Sequence, residues 1–217
     1  MRIIAGEFRG RRLVGPPDRD TRPMLDRVRE ALFSTLGNQI EGARVLDLFA
    51  GTGSLGLEAL SRGAKEARFV ERDRRAMERL ADNVETLDLG DRVRTTRGDA
   101  LKPSNWSIED GESDVLPDLV FMDPPYPLIR TRKGRASLTA ALDLLLNSAT
   151  APGATLVLHT HPRDLRGTEL INLCGGPTPE PRVYGNTALW YLRAVHDPEA
   201  DGTGSEDPGA TPSSPLG

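Results

Sequence analysis

The stretch VLDLFAGTGSLGLEAL, residues 45–60, decides the fold of this chain. It begins as an apolar strand, passes through a loop that contains Gly51, Gly53 and Gly56, and continues as an apolar helical stripe. The three glycines match the G-x-G-x-x-G pattern, in which a parallel strand leads into the N-terminus of a helix. This order of elements predicts a ligand site at the carboxyl end of the strand.

The pattern on either side of this stretch extends the same fold. After the run at 43–49, further apolar runs occur at 67–71, 92–96, 118–122 and 154–159. Helical stripes lie between them, over residues 55–60, 76–87 and 138–146. Strands that alternate with helices predict an α/β fold, with a parallel sheet covered by helices on both faces. The last two runs, 168–173 and 187–195, have no helix between them, and we predict that they form an antiparallel pair at one sheet edge.

Three regions are predicted along the chain. Residues 1–37 form a basic extension, with a short strand pair over 2–13 and a helix that Gly37 ends. Residues 38–196 form the α/β domain. Residues 197–217 carry five acids and no base and are rich in Gly, Pro and Ser, which is typical of a disordered tail.

Charge is divided unevenly between these regions. The whole chain has a formal net charge of −4, but without the five acids of the tail, residues 1–196 carry about +1. Residues 1–30 hold eight arginines against five acids. A basic segment of this kind is typical of a surface that binds phosphate.

Composition points to a globular protein of the cytoplasm. The 217 residues are 37% hydrophobic and 28% charged, as expected for one domain of a soluble protein. No apolar run is long enough to span a membrane, and the N-terminus has no secretory pattern. The single cysteine excludes an internal disulfide and fits a reducing compartment, so we expect a cytoplasmic protein.

The glycine loop alone permits two cofactors. With Glu71 twenty residues after Gly51, it also matches the dinucleotide fingerprint, so an NAD-dependent oxidoreductase is one hypothesis. Asp47 favours S-adenosyl-L-methionine instead, because a carboxylate here would repel a pyrophosphate but attract an ammonium group. The helix N-terminus can receive the methionine carboxylate. Glu71 suits the ribose hydroxyls as a bidentate acceptor, and Asp99 is placed to accept from the adenine amine.

The stretch DLVFMDPPYP, residues 118–127, predicts the chemistry. A buried strand ends here on Asp123, followed by Pro124, Pro125 and Tyr126. An exocyclic amine of a base is a poor nucleophile, and two acceptors, the Asp123 carboxylate and the Pro124 carbonyl, can draw its hydrogens toward tetrahedral geometry. The prolines hold that carbonyl in a fixed direction. Tyr126 offers a face on which the base can stack.

Together these segments resemble the family of RsmD-like methyltransferases, which methylate the exocyclic N2 amine of a guanine in 16S rRNA. The resemblance covers about residues 1–195 and rests on MRIIAGEFRGRRL, TRPMLDRVREALF, VLDLFAGTGSLGLEALSRGA, FVERD, DLVFMDPPY and RVYGNTALWYL, in that order. It implies a class I (Rossmann-like) methyltransferase fold, with a seven-stranded, mostly parallel sheet and one antiparallel edge strand. It also implies S-adenosyl-L-methionine as the methyl donor.

The resemblance also implies a set of site residues. The catalytic residues are Asp123, Pro124, Pro125 and Tyr126. The predicted cofactor-binding residues, with neighbours of the motif positions included, are Asp47, Phe49, Gly51, Thr52, Gly53, Glu71, Arg72, Asp99 and Ala100. One departure is visible, because Met24 and Leu25 stand where the family often has two threonines.

Clustered basic residues predict how RNA is held. We expect phosphate contacts from Arg9, Arg11, Arg12, Arg22, Arg27, Arg29, Arg130, Arg132 and Lys133. The predicted partner is 16S rRNA within a 30S subunit or an assembly intermediate, bound by a monomer, with no membrane partner. His159 and His161 have no third ligand at metal-site spacing, so we interpret them as strand-end histidines and predict no metal.

Two alternatives remain open besides the oxidoreductase. Adenine in DNA or a base in tRNA also presents a planar amine. The chemistry of the DPPY segment alone therefore does not distinguish these substrates from a guanine in rRNA. A non-catalytic RNA-binding module is disfavoured by the full set of acids at successive strand ends.

Overall fold

In the computed structural model the described residues are 1–16, 24–106, 115–174 and 177–195. Within these ranges the strands are β1 (Arg44–Leu48), β2 (Glu66–Glu71), β3 (Val93–Arg97), β4 (Leu119–Met122), β5 (Thr155–Thr160), β6 (Arg182–Tyr184) and β7 (Thr187–Arg193). The helices are α1 (Asp26–Leu36), α2 (Ser54–Ser61), α3 (Arg74–Thr86), α4 (Tyr126–Arg130), α5 (Arg132–Asn147) and α6 (Ile171–Cys174). The predicted alternation of strands and helices is therefore confirmed.

One sheet contains these seven strands in the order β3-β2-β1-β4-β5-β7-β6. Neighbouring strands pair in parallel from β3 to β5, whereas β7 is antiparallel to both β5 and β6. This confirms the class I methyltransferase fold, with β7 reversed one strand in from the edge. Because β4 pairs with β1, the segment after β4 emerges beside the glycine loop, where open α/β sheets bind ligands.

The prediction of a strand at residues 168–173 is wrong. This segment forms a 3₁₀ turn at Gly167–Glu169 and then α6. Leu170 and Leu173, three residues apart, are both buried in the core, which is helical and not strand spacing. The strand that pairs with β7 at the sheet edge is instead β6, which was not predicted, and Gly185 lies in the turn between them with φ of 62°.

Two hydrophobic clusters cover the two faces of the sheet. On one face, α1, α2 and α3 pack through residues such as Phe33, Leu57 and Leu80 against Val45 and Phe121. The other face is covered by α4, α5, α6 and Trp106. The central strands β4 and β5 are buried along their whole length, as predicted for strands covered on both sides, but the edge strand β3 is mostly exposed.

The N-terminal extension packs on the domain instead of standing apart. Residues 2–13 form a hairpin with a single bridge, between Arg2 and Arg12, in place of the predicted strand pair. Ile3 and Leu13 from the hairpin are buried in the same cluster as α1 and the sheet. The domain boundary after residue 37 stays a prediction, and the tail, 197–217, lies outside the described residues. None of the helices in the described ranges has the length and apolar character that crossing a membrane requires.

Candidate functional site

The glycine loop between β1 and α2 has a backbone that only glycine adopts without cost. Gly51 and Gly53 have φ of 55° and 84°, in the left-handed region. A Cβ atom on Gly51 would meet no atom within 4 Å, so this part of the loop borders open space. Gly56 differs, because a Cβ there would collide with the Phe69 ring of β2. Gly51 leaves room for a ligand, whereas Gly56 lets α2 approach the sheet closely.

Phe49 carries strain at the start of this loop. It is a non-glycine residue with φ of 61°, a conformation that costs about 1–3 kcal/mol and is found mainly at functional sites. Thr52, two residues before the start of α2, is 6% exposed. Its carbonyl accepts a hydrogen bond from Asn83 Nδ2 at 3.0 Å. This hydrogen bond ties the loop to α3 at Thr52.

Asp47 holds the loop from inside β1. Its side chain is 2% exposed, and Oδ2 accepts a hydrogen bond from the Gly56 N–H at 2.8 Å. Burial raises the pKa of this carboxyl to about 7, the Gly56 hydrogen bond opposes that rise, and the charges of Asp123 and Glu71 add to it. A positive charge at the site would restore the ionised form, so the predicted attraction for an ammonium group keeps its physical basis.

The raised pKa of Asp47 predicts a gain in stability when this charge is removed. The unfolded chain releases the proton near pH 4 but the folded protein holds it to about pH 7, so the stability of the folded state falls between these values and is flat above them. We expect Asp47→Asn, which can still accept from Gly56, to raise Tm at pH 8 by about 5 °C. Thermal unfolding followed by circular dichroism at pH 5 and pH 8 checks this. A gain in Tm of Asp47→Asn over the wild type that is no larger at pH 8 than at pH 5 would contradict this prediction.

Glu71, at the end of β2, is held by three backbone donors. Oε2 accepts from the Gly51 N–H at 2.9 Å, and Oε1 accepts from Arg72 and Asp73, each at 2.8 Å. A carboxylate offers about four acceptor positions, so about one remains, on Oε2. The predicted bidentate contact with two ribose hydroxyls therefore competes with the Gly51 hydrogen bond.

Asp99 and Ala100 form the third predicted corner of the cofactor site. Asp99 Oδ1 accepts from the Leu101 N–H at 3.0 Å, which bends the chain after β3. Ala100 is 3% exposed, and its carbonyl accepts from Trp106 Nε1 at 2.9 Å. Arg72 is exposed. The strand-end acids Glu71 and Asp99 thus lie on turns that their own side chains stabilise.

The DPPY segment lies beside β1, as predicted. The Asp123 N–H donates to the Leu48 carbonyl at 3.3 Å, which fixes the tip of β4 against β1. Pro124 is buried, and Pro125 precedes α4, whose first residue is Tyr126. The Asp123 side chain is 38% exposed and is open to a ligand.

Sequence reasoning gave His159 only the role of a strand-end residue, but the structure brings it to Asp123. His159 Nδ1 and Asp123 Oδ1 are 2.7 Å apart. An ionised carboxylate can only accept, so Nδ1 carries the hydrogen in this pair. The signal was present, because a polar residue at the end of β5 must lie next to the tip of β4.

The Tyr126 ring is bordered by cationic and aromatic groups. The imidazoles of His159 and His161 meet it edge-on, with ring centroids 5.9 and 6.0 Å away. The Arg130 guanidinium lies 5.8 Å from the ring centroid. Arg130 Nε in turn donates to Asp164, a buried carboxylate, at 3.0 Å. Arg130 is therefore oriented beside the tyrosine as well as being available to solvent.

Of the nine residues predicted to contact RNA, seven are exposed, one is buried and one lies outside the described residues. Those with exposed side chains are Arg9, Arg11, Arg12, Arg27, Arg130, Arg132 and Lys133. The prediction that Arg29 contacts RNA is wrong, because Arg29 is 1% exposed and donates to the Arg2 carbonyl and to Asp26. Burial lowers the pKa of Arg29, against the opposing charges of Glu58 and Asp26. Arg22 lies outside the described residues.

The hairpin is docked on the end of α2 that points away from the glycine loop. Ser61, the last residue of α2, accepts from the N–H groups of Glu7 and Phe8. Glu58 has no exposed surface and accepts from the N–H groups of Ile4 and Ala5. Because α2 has eight residues, the hairpin tip lies about 12 Å from the glycine loop along the helix.

Asn83 of α3 joins this extension to the loop, and sequence reasoning did not identify it. Its Oδ1 accepts from the Val14 N–H at 2.7 Å, and its Nδ2 donates to the carbonyls of Val14 and Thr52.

Among the described residues, no group of three or more His, Cys, Asp and Glu side chains could hold a metal ion.

Comparisons with known proteins identify relatives of this chain. A family model described as conserved hypothetical protein 95 matches residues 1–190. Ribosomal RNA small subunit methyltransferase D of Escherichia coli K12 is 42% identical over 126 residues, or 58% of this chain and 60% of that protein. The YlbH protein of Bacillus subtilis 168 is 39% identical over 141 residues, or 64% of this chain and 72% of YlbH.

A solved structure extends the match over most of the fold. The structure of a hypothetical protein from Thermus thermophilus superposes with a TM-score of 0.66 at 32% identity. The match covers 88% of this chain and 98% of that one.

Proposed function

The chain belongs to the conserved hypothetical protein 95 family, the family of RsmD-like methyltransferases, and from this premise we propose that it methylates the exocyclic N2 amine of a guanine in 16S rRNA. The donor in this proposal is S-adenosyl-L-methionine. The observation that carries the proposal is the position of the Asp123 carboxylate, exposed at the tip of β4 beside the glycine loop.

The residues at the carboxyl edge fit this cofactor. Gly51 borders open space, the N-terminus of α2 can receive a carboxylate, and Glu71 keeps an acceptor position on Oε2. Asp47 is a buried carboxyl whose ionised form a cation would stabilise. When bound, S-adenosyl-L-methionine supplies a methyl group that its sulfonium has already activated.

The chain's own residues orient the amine. Asp123 Oδ1 is engaged by His159, which leaves Oδ2 to accept one amine hydrogen. The Pro124 carbonyl, held between two prolines, is proposed to accept the other. The same Oδ2 atom can take up the proton that the amine loses. Orientation of this kind can supply about 7–11 kcal/mol of the reduction in the barrier.

The rival hypotheses have weaker support. A dinucleotide would bring its pyrophosphate toward Asp47, a carboxylate placed where it repels phosphate. Adenine in DNA stays chemically possible, because the tip can hold either amine. The relatives whose names give ribosomal RNA as the substrate favour rRNA over DNA. We infer that the rRNA is bound within a 30S particle, and that the protein therefore acts in the cytoplasm.

A methyl-transfer assay tests the proposal. The protein, with methyl-labelled S-adenosyl-L-methionine, is offered deproteinised 16S rRNA, 30S particles or DNA, and the labelled product is digested to nucleosides. We expect label on N2 of a guanine from one of the RNA substrates. Label that enters only DNA would contradict the proposed rRNA substrate. Tight binding of NADH without binding of S-adenosylhomocysteine would contradict S-adenosyl-L-methionine as the donor.

The exposed arginines of the hairpin are expected to contact RNA phosphates. Replacing Arg9, Arg11 and Arg12 together by alanine should weaken RNA binding and reduce the slope of log K against log salt by about 2–3. Filter binding at several salt concentrations measures this. The matched control replaces the same three residues by lysine, which keeps the charge and should keep most of the slope. An alanine variant with the wild-type slope would show that the hairpin does not contact RNA.

A further inference from the structure

His159 occupies a position between the two side chains that contact the substrate in the proposed reaction. It lies near the end of β5 and is 8% exposed. Its Nδ1 is 2.7 Å from Asp123 Oδ1, and its Nε2 is 3.5 Å from the Tyr126 hydroxyl. The ring therefore joins the tip of β4 to the first turn of α4.

We propose that His159 is a positioning residue, which holds the Asp123 carboxylate in the orientation that leaves Oδ2 directed at the amine and which, as the neutral imidazole, leaves that carboxylate its full charge. This rests on the proposed function, since it concerns the same site. We call the hydrogen bond between His159 Nδ1 and Asp123 Oδ1 the brace.

The geometry supports a fixed brace. A carboxylate on a short side chain, 38% exposed, can rotate about its terminal bond unless one oxygen is held. His159 itself is held, because β5 pairs with β7 through this residue and Leu189. The next residue, Thr160, accepts a hydrogen bond from Trp190 Nε1 at 2.9 Å. The imidazole is thus part of a rigid strand end.

The groups that face His159 give it a pH-dependent role. Asp123 faces it from β4 and Tyr126 from α4, while the neighbour across β7 is the apolar Leu189. Further out, His161, Arg130 and Asp164 surround the Tyr126 side.

Burial opposes a charge on His159, but the Asp123 carboxylate and its hydrogen bond outweigh burial and raise the pKa of His159 above 6.5. A protonated His159 would place a positive charge beside the Asp123 carboxylate and make it a weaker acceptor and a weaker base. Activity should therefore fall as pH drops through this pKa.

Two variants separate positioning from structure. His159→Leu removes the donor, and we expect kcat at pH 8 to fall roughly 10–100-fold while KM for RNA changes little. His159→Asn keeps an N–H near the place of Nδ1 but cannot titrate. It should recover most of kcat at pH 8 and lose the acid limb of the kcat–pH profile that the wild type shows. Equal kcat for His159→Leu and wild type, or an acid limb unchanged in His159→Asn, would overturn the proposal.

A measurement without substrate keeps this test separate from the proposed function. The pKa of His159 is read by NMR of the imidazole in the wild type and in Asp123→Asn. We expect it to fall in the variant, because the carboxylate that raises it is gone. If the wild type transfers no methyl group to RNA but this pKa falls, the proposed function fails while the brace stands. An unchanged pKa would overturn the brace itself.

Discussion

Replacing Asp123 by alanine is expected to lower kcat about 10²–10³-fold, the loss typical of removing one preorganised polar group from a reaction centre. The reason is geometric and electrostatic. The Asp123 side chain is 38% exposed at the tip of β4, with Oδ1 held by His159, and Oδ2 is the atom proposed to meet the amine. Alanine would remove the acceptor that orients the amine and the group that can take its proton.

The affinity for S-adenosyl-L-methionine should change much less, because Asp123 is not among the residues that shape the glycine loop. Single-turnover methyl transfer gives the rate, and calorimetry with S-adenosylhomocysteine gives the affinity. Asp143→Ala serves as the matched control, since Asp143 is an exposed carboxylate on α5 that bonds only to Asn147 among the described residues. An Asp123→Ala variant with the kcat of this control would refute the proposed role.

Replacing Glu58 by alanine is expected to destabilise the protein by about 3–5 kcal/mol, the cost typical of breaking a buried ion pair. Glu58 has no exposed surface, and its carboxylate accepts from the N–H groups of Ile4 and Ala5 and from Arg62 Nε at 2.8 Å. Without it, two backbone donors of the hairpin and one largely buried guanidinium lose their acceptor. The hairpin should loosen first, so RNA binding should weaken too.

Urea denaturation followed by circular dichroism measures the change in free energy of unfolding. Glu78→Ala is the matched control, because Glu78 forms an ion pair of the same i,i+4 spacing with Arg74, but on an exposed surface. That pair is expected to contribute at most about 0.5 kcal/mol. A loss for Glu58→Ala no larger than for Glu78→Ala would show that the buried carboxylate does not hold the hairpin.

Most of the fold could be predicted from local pattern. The alternation of apolar strands and helical stripes from residue 43 to residue 160 follows hydrophobic periodicity, which each segment carries in its own sequence. The failures occur where this signal is short. Residues 168–173 contain only three apolar residues, at 170, 171 and 173, which is too few to separate a strand from a helix, and packing of Leu170 and Leu173 against the core decided for the helix. The three-residue strand β6 is too short to show any period.

The site divides in the same way. The places of the glycine loop and of the DPPY segment in the fold could be predicted, because turns that require glycine, proline or a strand-end acid have a local sequence pattern. The burial of Arg29 could not be predicted, because nothing in the local sequence distinguishes an arginine in solvent from one that is 1% exposed and donates to a backbone carbonyl. The position of His159 at a strand end was recognised, but its role was missed, because that role depends on a hydrogen bond to a residue 36 positions away.

The sequence by itself determined the order of strands and helices, the ligand loop after β1 and the acidic tip after β4, because backbone preferences and burial periodicity act over neighbouring residues. Only the tertiary structure decided which polar side chains meet. The brace between His159 and Asp123, the link of Asn83 to the glycine loop and the docking of the hairpin on Glu58 all join distant segments. Such contacts depend on the three-dimensional register of the sheet and its helices, and no local pattern encodes that register.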